Sequence, residues 1–157
     1  ATIGSLALRH KEHGKAILVF VRTIDDVAVV TKTLEKANAK YELLTGTIRG
    51  KERDELTNRP IFRRFLSSST GHTQDGTVYL VCTSAGEVGI DISADHMVSD
   101  LTPLDSMAQR FGRVNRRGGG KAEIDVVYES EPDPKRKDDA LERARWATLP
   151  LLRSLPP

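Results

Sequence analysis

Runs of consecutive apolar residues alternate along the chain with stretches in which apolar residues recur every three or four positions. Residues 16–21 (AILVFV) form an unbroken apolar run, which is typical of a strand buried on both faces of a parallel sheet. The apolar positions from Val27 to Ala37 have helical spacing, and Thr23 followed by Asp26 fits a capped helix start. Strand alternating with helix predicts an α/β fold in which helices cover a mostly parallel sheet.

The same patterns predict the remaining elements. Further strands are predicted at 41–44, 77–82, 96–99 and 124–128. Further helices are predicted at 51–66, 102–116 and 138–149. Pro60 is expected to break the first of these helices. Thr102 is expected to cap the second, with Pro103 in its first turn and the glycines at 118–120 just after its end.

Length and composition are those of an ordinary globular domain. The 157 residues suffice for one domain of the usual size, roughly 100–200 residues. A net charge of +2 excludes a polycationic tail. One cysteine excludes internal disulfides and a thiolate metal cage, and favours a cytoplasmic location. No apolar run reaches the ~18–20 residues of a membrane span. The absent initiator Met suggests a piece of a longer protein.

Charge is separated more sharply than the small net charge suggests. Residues 84–108 contain five acidic side chains and no Lys or Arg, whereas residues 109–121 contain five basic side chains and no acid. At about 100° per residue, a helix would place Gln109, Arg113 and Arg116 on one face. Two stacked guanidiniums repel each other unless an anion lies between them. The pattern therefore predicts a polyphosphate site rather than a carboxylate partner.

A turn rich in small residues follows the strand predicted at 77–82. Residues 82–91 (CTSAGEVGID) include two glycines, which allow a backbone to approach a ligand closely. Open α/β sheets bind ligands at the carboxyl ends of their strands, where this turn lies. The turn and the arginine-rich stretch about twenty residues later together indicate one binding site.

These two stretches carry a resemblance to a known family. Residues 109–116 (QRFGRVNR) match motif VI of superfamily 2 helicases, Q-R-x-G-R-x-x-R, and residues 83–91 match their motif V. Residues 19–23 resemble motif IV, and residues 44–49 resemble the adjoining segment. Between residues 84 and 116 the sequence is most similar to the CRISPR-associated helicase–nuclease family of type I systems.

The resemblance implies a fold and a division of the chain. It implies a three-layer RecA-like domain, the helicase C-terminal domain, at 15–128. Residues 1–14 would be a linker from a preceding domain, and residues 129–157 a linker with a C-terminal helix. The implied function is that of the second motor domain of an ATP-dependent DNA helicase in CRISPR interference. The implied partners are single-stranded DNA, the preceding RecA-like domain and a guide-RNA complex.

The resemblance also implies roles for residues that match the motifs. Arg113 and Arg116 would be arginine fingers on ATP held by the neighbouring domain, with Gln109 beside them. Asp91 would approach the ribose, and Gly89 would leave room for that approach. Six residues would contact the backbone of the nucleic acid: Arg22, Thr23, Gly46, Arg49, Thr83 and Ser84.

Several features of such an enzyme are missing from the chain. It contains no G-x-x-x-x-G-K-[ST] phosphate loop, no acidic motif for Mg²⁺ and no His-Asp pair for a nuclease metal centre. ATP and Mg²⁺ would therefore be held mainly by the preceding domain, and no metal ligands are assigned here. We expect the chain alone neither to hydrolyse ATP appreciably nor to cut DNA.

Three hypotheses about the function are compatible with the sequence. The first is the CRISPR-associated motor, and the second is a repair or RNA-remodelling helicase of the same superfamily. The third is a nucleic-acid-binding domain that works without ATP. Glu87 is open as well: it either couples the DNA and ATP sites by pairing with an arginine, or is a solvated acid.

Overall fold

A single parallel sheet forms the centre of the protein. The computed structural model describes residues 2–46, 55–66, 76–87, 89–116, 118, 120–136 and 139–156. Within these ranges the strands are β1 (Ala16–Phe20), β2 (Lys40–Leu44), β3 (Val78–Cys82), β4 (His96–Asp100) and β5 (Ile124–Val127). All neighbours are parallel, in the order β2-β3-β1-β4-β5. The unbroken apolar run forms the central strand, buried throughout, and all five predicted strands are confirmed.

Helices cover both faces of this sheet, so the predicted three-layer α/β architecture is confirmed. On one face, α1 (Ile3–Ala7) and α2 (Ile24–Lys36) pack on the odd-numbered residues of β1. On the other face, α3 (Pro60–Arg63) and α4 (Leu104–Phe111) pack on the even-numbered ones. This division follows from the two-residue period of a strand. The last helix, α5 (Ala140–Arg153), lies against α4.

Two predicted local features are confirmed. The Thr23 hydroxyl accepts a hydrogen bond from the Asp26 backbone N–H at 3.1 Å and caps α2. Pro60 interrupts the helix predicted at 51–66: residues 55–56 are helical, a turn follows, and Pro60 begins α3. A proline fits there because the first helical turn needs no N–H donor from it. Residues 51–54 lie outside the described ranges.

The prediction of a helix from 102 to 116 is wrong at both ends. The N-cap is Pro103 rather than Thr102, and it makes no side-chain capping bond. The helix ends at Phe111, with Gly112 as its C-cap. Backbone bonds to a neighbouring segment draw the chain away: the Ala94 N–H donates to the Arg113 carbonyl at 2.9 Å, and the Asn115 N–H donates to the Ala94 carbonyl at 2.8 Å.

The C-terminal helix is longer than the 138–149 expected from the pattern. It begins after Asp139, whose carboxylate accepts from the Leu141 N–H at 2.9 Å, and it continues through Pro150 to Arg153. None of the helices that the structure describes has the length and apolar character needed to cross a bilayer.

Candidate functional site

The carboxyl ends of three adjacent strands bring together most of the residues expected to contact nucleic acid. Gly46 follows β2, Thr83 and Ser84 follow β3, and Arg22 and Thr23 follow β1. The Thr83 hydroxyl accepts a hydrogen bond from the Gly46 N–H at 3.3 Å, which joins the first two loops. Arg49 lies outside the described residues. We call the described residues of this set the strand-end group: Arg22, Thr23, Gly46, Thr83 and Ser84.

A cavity of about 360 Å³ opens beside the strand-end group. Arg22, Thr23 and Ser84 line it from the sheet, and Arg136 and Arg145 line it from the C-terminal part of the chain. Its walls offer hydroxyls and guanidiniums, which are groups that bind phosphate oxygens without reading a base sequence, together with the carboxylates of Glu87 and Glu142.

Arg22 is held by two carboxylates at the mouth of this cavity. Its Nε lies 3.2 Å from Asp100 Oδ2, and its Nη2 donates to Glu129 Oε1 at 2.9 Å. The side chain is 31% exposed. Contact with a phosphate would therefore require Arg22 to exchange at least one carboxylate partner.

A second group of predicted residues lies on the segments that follow β3 and α4. The Arg113 guanidinium donates to the backbone carbonyls of Ile90 and Glu87, both at 2.7 Å. Arg116 forms an ion pair with Asp91, and its N–H donates to Ser93 Oγ at 3.2 Å. We call Gly89, Asp91, Arg113 and Arg116 the phosphate-side group.

Two details of the phosphate-side group differ from the sequence predictions. Arg113 and Arg116 lie beyond the end of α4, so they do not share a helical face with Gln109. Gln109 is exposed on α4. The expectation that these arginines lack a carboxylate partner is wrong for Arg116, which pairs with Asp91. Both side chains of that pair are largely exposed, so the pair opens at little cost.

Glycine is needed at two positions of the turn that follows β3. Gly89 has φ of +87°, a left-handed conformation that side-chain-bearing residues rarely adopt. At Gly86 a Cβ would lie 2.9 Å from the Cys82 side chain and 3.0 Å from the Phe20 ring. The requirement at Gly86 is therefore close packing on the core.

Sequence patterns did not predict the burial of Arg110, whose two acidic partners also contact Arg22 and Arg113. The Arg110 side chain is 2% exposed. Its Nε donates to Glu87 Oε1 at 2.8 Å, and its Nη1 donates to Asp100 Oδ1 and to Ser99 Oγ, both at 2.8 Å. Glu87 is therefore paired with an arginine and is not a solvated acid.

The position of Arg110 in the amphipathic pattern could have revealed its burial. It lies three residues after Met107, whose side chain is fully buried, and one before Phe111, which packs on the core. A charged residue on the apolar face of a helix needs buried partners. Two acids of the preceding acidic stretch, Glu87 and Asp100, supply them.

Burial and ion pairing act in opposite directions on Asp100. Burial raises the pKa of its carboxyl above the usual range, while the guanidiniums of Arg110 and Arg22 oppose that rise. Burial also raises the pKa of the Cys82 thiol, which lies at the end of β3. Among the described residues, no group of three or more His, Cys, Asp or Glu side chains is arranged to hold a metal ion.

The fold defines a class of protein, the RecA-like helicase C-terminal domain. The C-terminal domain of the DEAD-box protein Dbp5 superposes with a TM-score of 0.56 at 25% identity, covering 74% of this chain and 63% of that one. The crystal structure of T. fusca Cas3 with AMPPNP superposes at 0.72 and 19% identity, covering 98% of this chain and 19% of that one.

The family is defined more narrowly by sequence. Residues 13–119 match the family described as "CRISPR-associated nuclease/helicase Cas3, C-terminal", and the chain belongs to that family. The CRISPR-associated helicase Cas3 of Thermoproteus tenax is 29% identical over 131 residues, which is 83% of this chain and 21% of that protein. This chain thus spans about a fifth of that relative's length.

One further structure places a similar chain in an assembly. It is a "CRISPR RNA-guided surveillance complex, pre-nicking", in which the matching chain has a TM-score of 0.64 and 20% identity. The match covers 90% of this chain and 19% of that one.

Proposed function

We propose that this chain is the second motor domain of an ATP-dependent superfamily 2 DNA helicase or translocase that acts in CRISPR type I interference. One observation carries the proposal: the Arg116 guanidinium pairs with Asp91, and the Arg113 guanidinium donates to the carbonyl of the adjacent residue, Ile90. Guanidiniums fit phosphate oxygens, and an exposed carboxylate fits ribose hydroxyls. Membership in the Cas3 family supports this assignment.

In this proposal Arg113 and Arg116 are arginine fingers, with Gln109 beside them. ATP is bound mainly by a preceding RecA-like domain together with Mg²⁺, and the phosphate-side group completes the site when the two domains close. The guanidiniums stabilise charge that develops on the transferred phosphoryl group, an effect worth ~10³–10⁵ in rate in related enzymes. Gly89 leaves the ribose side open, and Asp91 binds the ribose hydroxyls.

The strand-end group and Arg49 bind single-stranded DNA in the same proposal. The residues of the strand-end group follow the carboxyl ends of β1, β2 and β3. Arg22, Thr23 and Ser84 line one cavity, and the hydrogen bond from Gly46 to Thr83 joins the neighbouring loops. Such contacts hold phosphates and carry no sequence preference. Each cycle of domain closure and opening then moves the DNA strand by one translocation step.

Residues 15–128 form the motor domain in this proposal, and residues 1–14 and 129–157 join it to its neighbours. The chain alone hydrolyses no ATP, because the phosphate loop belongs to the preceding domain. The full protein is brought to DNA by a guide-RNA complex, a role supported by the similar chain in a surveillance complex.

The proposal is tested by DNA-stimulated ATP hydrolysis of the full-length protein. Arg113→Ala and Arg116→Ala are each expected to lower hydrolysis at least ~10²-fold, about 2.7 kcal/mol of transition-state stabilisation, while ATP and DNA still bind. Arg9→Ala is a matched control, since Arg9 is also about half exposed and also pairs with one aspartate, Asp125. Unchanged hydrolysis in both finger variants would overturn the proposal.

A further inference from the structure

We propose that Arg110 is a positioning residue that couples DNA binding at Arg22 to the phosphate contact at Arg113. The inference rests on the proposed function and adds a physical connection between its two sites. A continuous series of contacts joins the two ends: Arg22 to Asp100, Asp100 to Arg110, Arg110 to Glu87, and Glu87 to Arg113.

The first half of the series is one carboxylate shared by two guanidiniums. Asp100 Oδ2 lies 3.2 Å from Arg22 Nε, and Asp100 Oδ1 accepts from Arg110 Nη1 at 2.8 Å. The Asp100 side chain is 8% exposed. Because water does not screen the carboxylate, removing Arg22 from it leaves Arg110 as its main compensating charge and strengthens that pairing.

The second half passes through both parts of a single residue. The Glu87 carboxylate accepts from Arg110 Nε at 2.8 Å, and its backbone carbonyl accepts from Arg113 Nη2 at 2.7 Å. Glu87 also ends the short 3-10 helix Ser84–Gly86, its N–H donating to the Ser84 carbonyl at 3.0 Å. Glu87 therefore connects Arg110 both to the finger Arg113 and to the strand contact Ser84.

The Arg110 guanidinium is held in place more firmly than the Arg22 end of the series. It lies 4.7 Å from the centre of the Phe20 ring and donates to Ser99 Oγ at 2.8 Å. Arg22, by contrast, is partly exposed and already shares its guanidinium with Glu129. Binding at Arg22 therefore changes how strongly Asp100 and Glu87 compete for Arg110, and this redistribution of pairing reaches Arg113 through Glu87.

The test measures how strongly one ligand affects the other in the full-length protein. We would compare the Kd for a labelled single-stranded oligothymidylate with and without a non-hydrolysable ATP analogue. The ratio of the two Kd values is the coupling factor, typically ~5–150-fold in coupled systems. Arg110→Lys is expected to bring this ratio to within about twofold of one, because an ammonium keeps the charge but loses the planar fork that holds both carboxylates.

Arg64→Lys is the matched control. Arg64 is partly buried, and its guanidinium donates to the Gly14 carbonyl at 2.8 Å and to the Gly76 carbonyl. These contacts lie outside the cavity lining and outside the series from Arg22 to Arg113. The control is expected to keep the wild-type coupling factor within about twofold. An equal loss in both variants would overturn the inference, since the loss would then come from a general disturbance of arginine contacts in the fold.

Two more variants guard against misfolding and against failure of the proposed function. If thermal melting shows that Arg110→Lys is not folded, Glu87→Gln decides, because it weakens the Arg110 contact and keeps the carbonyl that binds Arg113. An unchanged coupling factor in a folded Arg110→Lys or in Glu87→Gln would overturn the inference alone, provided that Arg22→Ala weakens DNA binding and Arg113→Ala lowers hydrolysis. If Arg113→Ala leaves hydrolysis unchanged, the proposed function and this inference fail together.

Discussion

Two arginine–carboxylate groups lie within one short stretch of sequence but differ in burial. Arg110 and Asp100 have side chains that are 2% and 8% exposed, whereas Arg116 and Asp91 are 43% and 67% exposed. The buried pair is part of a network with Glu87 and Ser99. The exposed pair, Arg116 and Asp91, belongs to the phosphate-side group.

The difference in burial separates structural from exchangeable contacts. Removing one partner of a buried ion pair leaves an uncompensated charge in a poorly solvated place. Opening an exposed pair costs little, because water and salt stabilise both charges. Arg116 is therefore able to leave Asp91 for another anion, while Arg110 is held in place.

The largest expected effect comes from breaking the buried pair. Arg110→Ala leaves Glu87 and Asp100 without their shared cation, and we expect the free energy of unfolding to fall by about 3–5 kcal/mol. Urea unfolding measures this loss. Arg116→Ala is the paired control, expected to change stability by less than about 1 kcal/mol. Equal losses in the two variants would show that burial does not distinguish the pairs.

The packing beneath the buried group gives the next largest effect. Gly86→Ala places a methyl group 2.9 Å from the Cys82 side chain and 3.0 Å from the Phe20 ring, which lies against Arg110. Overpacking of this kind costs about 1–3 kcal/mol. Gly120→Ala is the control, because no atom lies within 4 Å of its added Cβ. A Gly86→Ala variant as stable as this control would contradict the packing described here.

A buried histidine pair differs from both arginine pairs, because burial outweighs the carboxylates near it. His10 stacks on His96 with ring centres 4.4 Å apart, and His10 Nε2 lies 3.9 Å from a Glu123 carboxylate oxygen. Burial lowers the pKa of both imidazoles below the usual 6.5, and the other nearby charged or titratable groups are Arg9, His13, Lys15 and Asp95.

The sign of the resulting pH dependence follows from these lowered pKa values. Below pH ~6.5 the unfolded chain binds protons that the folded chain does not, so stability is complete above that pH and declines as the pH falls. Thermal melting from pH 7.5 to 5.5 measures the decline. His10→Leu with His96→Gln is expected to remove this component, and an unchanged slope in the double variant would assign it to other groups.

The smallest expected effect comes from the exposed pair. Asp91→Asn removes one charge of a solvated ion pair, so the free energy of unfolding is expected to change by less than about 0.5 kcal/mol. Thermal melting at low and high salt measures it. A loss above about 1 kcal/mol would show that Asp91 supports the fold and is not free to meet a ligand.

Local patterns were enough to predict the five strands and the cap of α2. The strand at β1 and the Thr23 cap depend on residues close together in sequence, and both are confirmed. The end of α4 depends instead on backbone bonds between Ala94 and residues 113–115, which no local pattern reveals.

The site shows the same division between local and distant contacts. The motif matches marked Arg113 and Arg116 and the turn at 83–91, and in the structure both arginines contact that turn. The partners of Arg110 come from β4 and from the turn after β3. The burial of Arg110 could be predicted from the spacing of apolar residues in the helix. That Glu87 and Asp100 are its partners could not, because they become its neighbours only when the chain folds.

The buried thiol of Cys82 has a practical consequence for labelling. It is the chain's single cysteine, it is fully buried, and burial raises its pKa, so little reactive thiolate is available in the folded state. A cysteine introduced at an exposed position such as Ile24 would react with a maleimide while Cys82 does not. Slow modification of Cys82 itself would report transient opening of the central sheet.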